Sequence, residues 1–146
     1  MAFLCVYYSM CIAPLLLVGY LLTLQTPAHH TPLLNGTILE AQTCESGLGA
    51  HARATSSGLF GLGVQYGLTA HHGDWSLTAQ PRVGLSYSAE PINELPLQKQ
   101  FELGFQVLVG YQHLRFSFDY WHLSNAGLKQ PNIGLDLLAL MGGWAF

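Results

Sequence analysis

Three residues near the C-terminal end of the chain, His122, Ser124 and Asp136, combine a base, a hydroxyl and a carboxylate within fifteen positions. The stretch that leads to them alternates cleanly. Leu114, Phe116, Phe118 and Tyr120 hold one parity, and Arg115, Ser117 and Asp119 the other, which is the period of a strand with two unlike faces. His122 and Ser124 continue the apolar parity. Residues two apart on a strand lie about 6.6 Å from each other on one face, close enough for an imidazole to take a proton from the hydroxyl. A loop from Asn125 to Asn132 follows, and a second strand opens with Asp136 and runs to Trp144 and Phe146. A carboxylate on that neighbouring strand can hold the imidazole in one tautomer and stabilise its protonated form. The chemistry this supports is attack by serine on an ester carbonyl, which also requires donors for the oxyanion. Asn125, Gly127 and Asn132 offer amide and backbone N–H groups, and Gly127 lets the backbone come close to a substrate. Such chemistry needs no metal and no cofactor.

Four upstream stretches keep the same period of two: Gly47 to Thr55, Leu59 to Ala70, Trp75 to Ser88 and Phe101 to Tyr111. The connections between them carry register. Gln112-His113 is a two-residue turn that pairs Tyr111 with Leu114, and with it Val109 with Phe116, Phe105 with Tyr120, and Leu103 with His122. Residues 71–74 read as a four-residue connection that pairs Ala70 with Trp75. Pro81 sits mid-strand, removes a ladder donor and predicts a local bulge. Arg53, Arg82, Glu102, Arg115 and Asp119 all carry the parity opposite to the aromatic and aliphatic rows. The charges therefore point into a small polar interior and the apolar rows face lipid. His122, Ser124 and Asp136 have the lipid-facing parity, so their substrate is itself expected to be a lipid.

Charged residues make up 9% of the chain, against roughly 25% in soluble domains. From Gly47 onward the apolar residues alternate rather than cluster. All of this predicts an all-β fold, a small antiparallel transmembrane β-barrel. The 146 residues permit one domain. The five Lys and Arg are scattered singly, which leaves no footprint for nucleic acid. His29-His30 and His71-His72 have no cysteine or carboxylate at ligand spacing, so no metal site is expected. Residues 1–28 are rich in apolar side chains and read as a signal peptide cleaved after Ala28, as an N-terminal membrane anchor, or as the product of a misassigned start. No Lys or Arg precedes Arg53, so the positive segment usual in a signal is missing. A chain cleaved there keeps Cys44 but neither Cys5 nor Cys11, and no internal disulfide is then possible. Residues 29–46 are poorly determined, with a weak strand near Thr37 to Thr43. Residues 47–146 form the barrel domain, with six strands evident. Short turns at 71–74 and 112–113 belong in the periplasm, and the loops Ala89 to Leu97 and Asn125 to Asn132 outside.

The run HLSNAGLKQPNIGLD, residues 122–136, closely resembles the C-terminal signature of the outer-membrane lipid A 3-O-deacylases. On that resemblance His122, Ser124 and Asp136 fall on the base, nucleophile and acid positions. The acid in the best-known members is Glu, so Asp136 is shorter by one methylene. The resemblance implies a barrel of eight strands, two of which would have to come from residues 29–46. It further implies a location in the bacterial outer membrane with the site facing the outer leaflet, and lipid A of lipopolysaccharide as substrate, losing its 3-O-acyl chain. Phe146 resembles the terminal aromatic by which outer-membrane proteins are recognised for assembly. Two alternatives stay open: an outer-membrane phospholipase or esterase, and a non-enzymatic structural barrel with a decayed site.

Overall fold

A computed structural model describes residues 14–24, 36–88, 99–124 and 134–146. Eight strands follow one another: β1 (Leu15–Leu24), β2 (Gly36–Gln42), β3 (Gly47–Thr55), β4 (Leu59–His72), β5 (Trp75–Ser88), β6 (Lys99–Tyr111), β7 (Leu114–Ser124) and β8 (Leu135–Ala145). Each pairs antiparallel with the next, and β8 pairs back onto β1, which closes the barrel and leaves no sheet edge. The outward face is apolar over its whole circumference, with Leu62, Leu77, Leu85, Phe105, Phe116 and Leu140 all exposed. The inner face carries the charges. This is the inversion of a soluble barrel and the arrangement of one that sits in lipid.

The interior has two unlike halves. On one side Arg82 donates to Glu40 at 2.6 and 3.0 Å and to Asp119 at 2.9 Å. Arg53 lies 3.4 Å from Glu40 and 3.9 Å from Glu102, and Ser86 donates to Glu102. Arg115, inward at the short-turn end, pairs with Glu45 at 2.6 Å. Arg53, Arg82, Glu102 and Asp119 are buried as their parity predicts. On the other side Leu15, Leu17 and Leu21 of β1 and Leu135, Leu137, Ala139 and Met141 of β8 belong to one buried apolar cluster.

That apolar half corrects the sequence reading of the N-terminus. Residues 15–24, inside the stretch expected to be a signal or anchor, are β1 of the barrel. Of the two strands sought within 29–46, one is there, β2 at Gly36–Gln42, where the weak strand was expected, and the other is β1 upstream. Leu15, Leu17 and Leu21 point inward and Leu16, Val18, Tyr20 and Leu22 outward, so both faces are apolar. A strand with two like faces loses its period of two and reads as one continuous run. Cys44 is disulfide-bonded; Cys5 and Cys11 lie outside the described residues.

Two smaller expectations also change. Ala70 pairs with Leu77, and His72 with Trp75, because the connection is the two-residue turn Gly73-Asp74 with Gly73 at φ 59°. The parity, and hence every face, is unaltered, since the loop differs by two residues. At Pro81 no residue is inserted. The β4–β5 register passes from Gln65↔Arg82 to Leu68↔Ala79, three residues on either side, while Pro81 stays paired with Phe105 of β6. The missing N–H interrupts one ladder without a bulge. The β6–β7 register is as expected from Tyr111↔Leu114 to Leu103↔His122.

Candidate active site

At the end of the barrel opposite the turns 73–74 and 112–113, strand β7 finishes on Trp121, His122, Leu123 and Ser124. Trp121 and Leu123 are buried, at 1% and 0% exposure. The Arg53 guanidinium lies 4.3 Å from the Trp121 ring centroid, a cation–π contact that keeps the indole inside. With these two side chains locked inward, the pleat turns His122 and Ser124 outward. Strand β8 does the same on its side. Leu135 and Leu137 are buried, so Asp136 between them faces out.

His122 and Asp136 are direct cross-strand partners, and His122 Nδ1 lies 2.8 Å from Asp136 Oδ1. An ionised carboxylate only accepts, so Nδ1 carries the proton and donates, which leaves Nε2 as the free base nitrogen. The two side chains are 40% and 34% exposed, open toward the outside of the wall. The Tyr120 hydroxyl donates to the same Oδ1, also at 2.8 Å. Gly134 precedes β8 and packs against the ring: a Cβ there would stand 2.0 Å from His122 Cε1 and 2.4 Å from Nε2. Only glycine lets the backbone come so near the imidazole.

Ser124 is half-buried on the outward face, opposite Phe101 of β6. Leu103 pairs with His122 on one flank and Leu24 of β1 pairs with Asp136 on the other. Phe101, Leu103 and Leu24 are all exposed, so the polar group on β7 and β8 is framed by apolar side chains of the two flanking strands, β6 and β1. Of the residues singled out in the sequence, His122 and Asp136 are in contact and Ser124 shares their face. Asn125, Gly127 and Asn132 lie outside the described residues. Tyr120 and Gly134 were missed. Tyr120 looked like one more outward aromatic, and only the β7–β8 register reveals it as the diagonal neighbour of Asp136. A ten-residue connection hides that register from sequence. Gly134 gave no signal, since glycine in a loop is ordinary.

Comparison with known proteins agrees with this architecture. The sequence profile of the family described as lipid A 3-O-deacylase (PagL) matches residues 18–145. No curated protein sequence matches the chain. Among solved structures, the outer membrane enzyme PagL superposes with a TM-score of 0.58 at 14% identity, covering 87% of this chain and 97% of that one. Ail, the attachment invasion locus protein of Yersinia pestis, gives 0.46 at 13% identity in its crystal structure, over 94% and 100% of the two chains. Its backbone structure in a phospholipid nanodisc gives 0.48 at 12%, over 92% and 99%. The superposition on PagL is a likeness of fold. The profile is a likeness of sequence, and it runs from within β1 through β8 and takes in His122, Ser124 and Asp136. The chain belongs to the lipid A 3-O-deacylase (PagL) family.

Proposed function

We propose that this protein is a serine esterase of the outer membrane that removes the ester-linked 3-O-acyl chain of lipid A. The observation that carries the reading is the His122–Asp136 contact at 2.8 Å. It lies on the outward wall, two residues from Ser124, in a chain of this family. In the reaction His122 Nε2 takes the Ser124 hydroxyl proton as Oγ attacks the acyl carbonyl. Asp136 holds the ring and stabilises the imidazolium. The tetrahedral intermediate collapses with release of the 3-oxygen of lipid A, which receives the proton from His122. Water, deprotonated by the same imidazole, then hydrolyses the acyl-serine and frees the fatty acid. Donors for the oxyanion are sought in the loop between β7 and β8, where Asn125, Gly127 and Asn132 are the candidates.

The placement of the site supports a lipid substrate. A carboxylate on the lipid-facing wall is costly at mid-membrane and tolerable near the interface. His122 is eight residues beyond Leu114, about 20 Å along the barrel axis for a strand tilted by about 40°. That brings it level with the headgroups and ester linkages of the outer leaflet, with the long loops outside and the short turns in the periplasm. Phe101, Leu103 and Leu24 then offer apolar surface to acyl chains.

Mass spectrometry of lipid A from cells with and without the gene tests the proposal. A lipid A species lighter by one hydroxyacyl group, absent with Ser124→Ala, is the expected result. Lysophospholipid with unchanged lipid A would make the protein a phospholipase. No change in either lipid, and no labelling of Ser124 by a serine-hydrolase probe, would make it a structural barrel.

A further inference from the structure

Tyr120 lies two residues before His122 on β7 and is 39% exposed on the outward face, in a row with Phe116 and Phe118. A tyrosine at that level of a membrane protein ordinarily turns its hydroxyl to headgroups and water. This one turns it to Asp136. The direct partner of Tyr120 across the β7–β8 ladder is Leu138, and Asp136 is the diagonal neighbour two residues along. Diagonal positions are about 7–8 Å apart at the backbone, a gap that a phenol spans and a short side chain does not. The hydroxyl donates to Asp136 Oδ1 at 2.8 Å, and His122 Nδ1 meets the same oxygen at 2.8 Å. One carboxylate oxygen thus takes an N–H from beside it and an O–H from the residue below.

We infer that Tyr120 is a positioning residue that fixes the Asp136 carboxylate for His122, an assignment that rests on the deacylase reading of this site. The aspartate is two-thirds shielded and flanked by Leu24 of β1. Without a second donor its carboxylate is free to rotate about χ1 and χ2 away from the ring. The phenol restricts that freedom, because the orientation in which Asp136 accepts from Tyr120 also presents Oδ1 to Nδ1. Tyr120 makes no step of the reaction itself. It sets how often the imidazole is correctly oriented when Ser124 attacks.

Turnover of lipid A in mixed micelles by the purified full chain tests this. Tyr120→Phe deletes only the hydroxyl and is expected to lower kcat about tenfold, the scale of one hydrogen bond to a charged group. KM is expected to stay unchanged, as is the heat-modifiable migration of the folded barrel. In an Asp136→Ala background the same change is expected to cost less than about twofold, since no carboxylate remains to be positioned. A Tyr120→Phe protein with wild-type kcat overturns the inference, and so does an equal loss in the Asp136→Ala background. A raised KM at unchanged kcat makes Tyr120 a substrate contact and overturns it too. Ser124→Ala, measured alongside, separates the two levels. If it is inactive, these failures concern Tyr120 alone. If it is fully active, the deacylase reading falls and takes this inference with it.

Discussion

The imidazole of His122 is enclosed by a short side chain on one side and by no side chain on another, and both absences have measurable consequences. At Gly134, the methyl of an alanine would stand 2.0 Å from Cε1, so the ring or the start of β8 has to move. A displacement of about 1 Å in such a constellation costs on the order of a hundredfold in rate. Gly134→Ala is therefore expected to lower kcat by about that factor while the barrel still folds, which steady-state kinetics beside a heat-modifiability assay would register. Ser124→Ala and His122→Ala are each expected to abolish lipid A deacylation. Asp136→Asn keeps nucleophile and base and is expected to retain about a hundredfold more activity than Ser124→Ala. Asp136→Glu is the informative change. The resemblance to the deacylases implies the longer acid at this position, so the variant is expected to match or exceed the natural protein. Its inactivity would mean that the contact with His122 is not the acid's role.

At the level of strands, legibility followed contrast between faces. Strand β7 was readable to the residue because Ser117 and Asp119 interrupt Phe116, Phe118 and Tyr120, and its two-residue turn with β6 transmitted the register. Strand β1 was unreadable for the opposite reason. Its inward Leu15, Leu17 and Leu21 are as apolar as its outward Leu16, Val18 and Tyr20, since they pack on β8 rather than on the charged half of the interior. Strand β8 lay between these extremes: Asp136 is its one polar outward residue, and its register with β7 depended on a loop no local rule constrains. The parity of β1 can be tested by charge. Leu17 is fully buried opposite Gly143, and Leu17→Asp places an unpaired carboxylate there at a cost of several kcal/mol. That is comparable with a whole domain's stability of about 5–15 kcal/mol, so the folded, heat-modifiable form is expected to be lost. Leu16→Asp puts the same charge outward beside Trp144, at the short-turn end, where the cost is about 0–1 kcal/mol. Urea unfolding in detergent would separate the two.

Over the whole molecule, the charged half of the interior acts as a cross-brace from β2 and β3 through β5 and β6 to β7. Arg82 is its hub, held by Glu40 and Asp119. Arg82→Met strips the buried Asp119 of its cation and leaves Glu40 with Arg53 alone, a loss on the order of 3–5 kcal/mol. A lowered urea midpoint is expected, with partial recovery in Arg82→Met/Asp119→Asn. The brace reaches the site through Arg53, which contacts Glu40 and Glu102 and also covers Trp121, the residue whose inward lock turns His122 out. The placement of that histidine on the lipid-facing wall has a kinetic corollary. On the proposed function the ester is expected to reach it by lateral diffusion within a leaflet rather than from bulk water, which makes the encounter two-dimensional. Rate then follows the mole fraction of substrate in the surface rather than its molar concentration. Adding inert detergent at constant total lipid A is expected to slow the enzyme in proportion to the dilution of the micelle surface. A rate that ignores such dilution would mean the substrate arrives from solution.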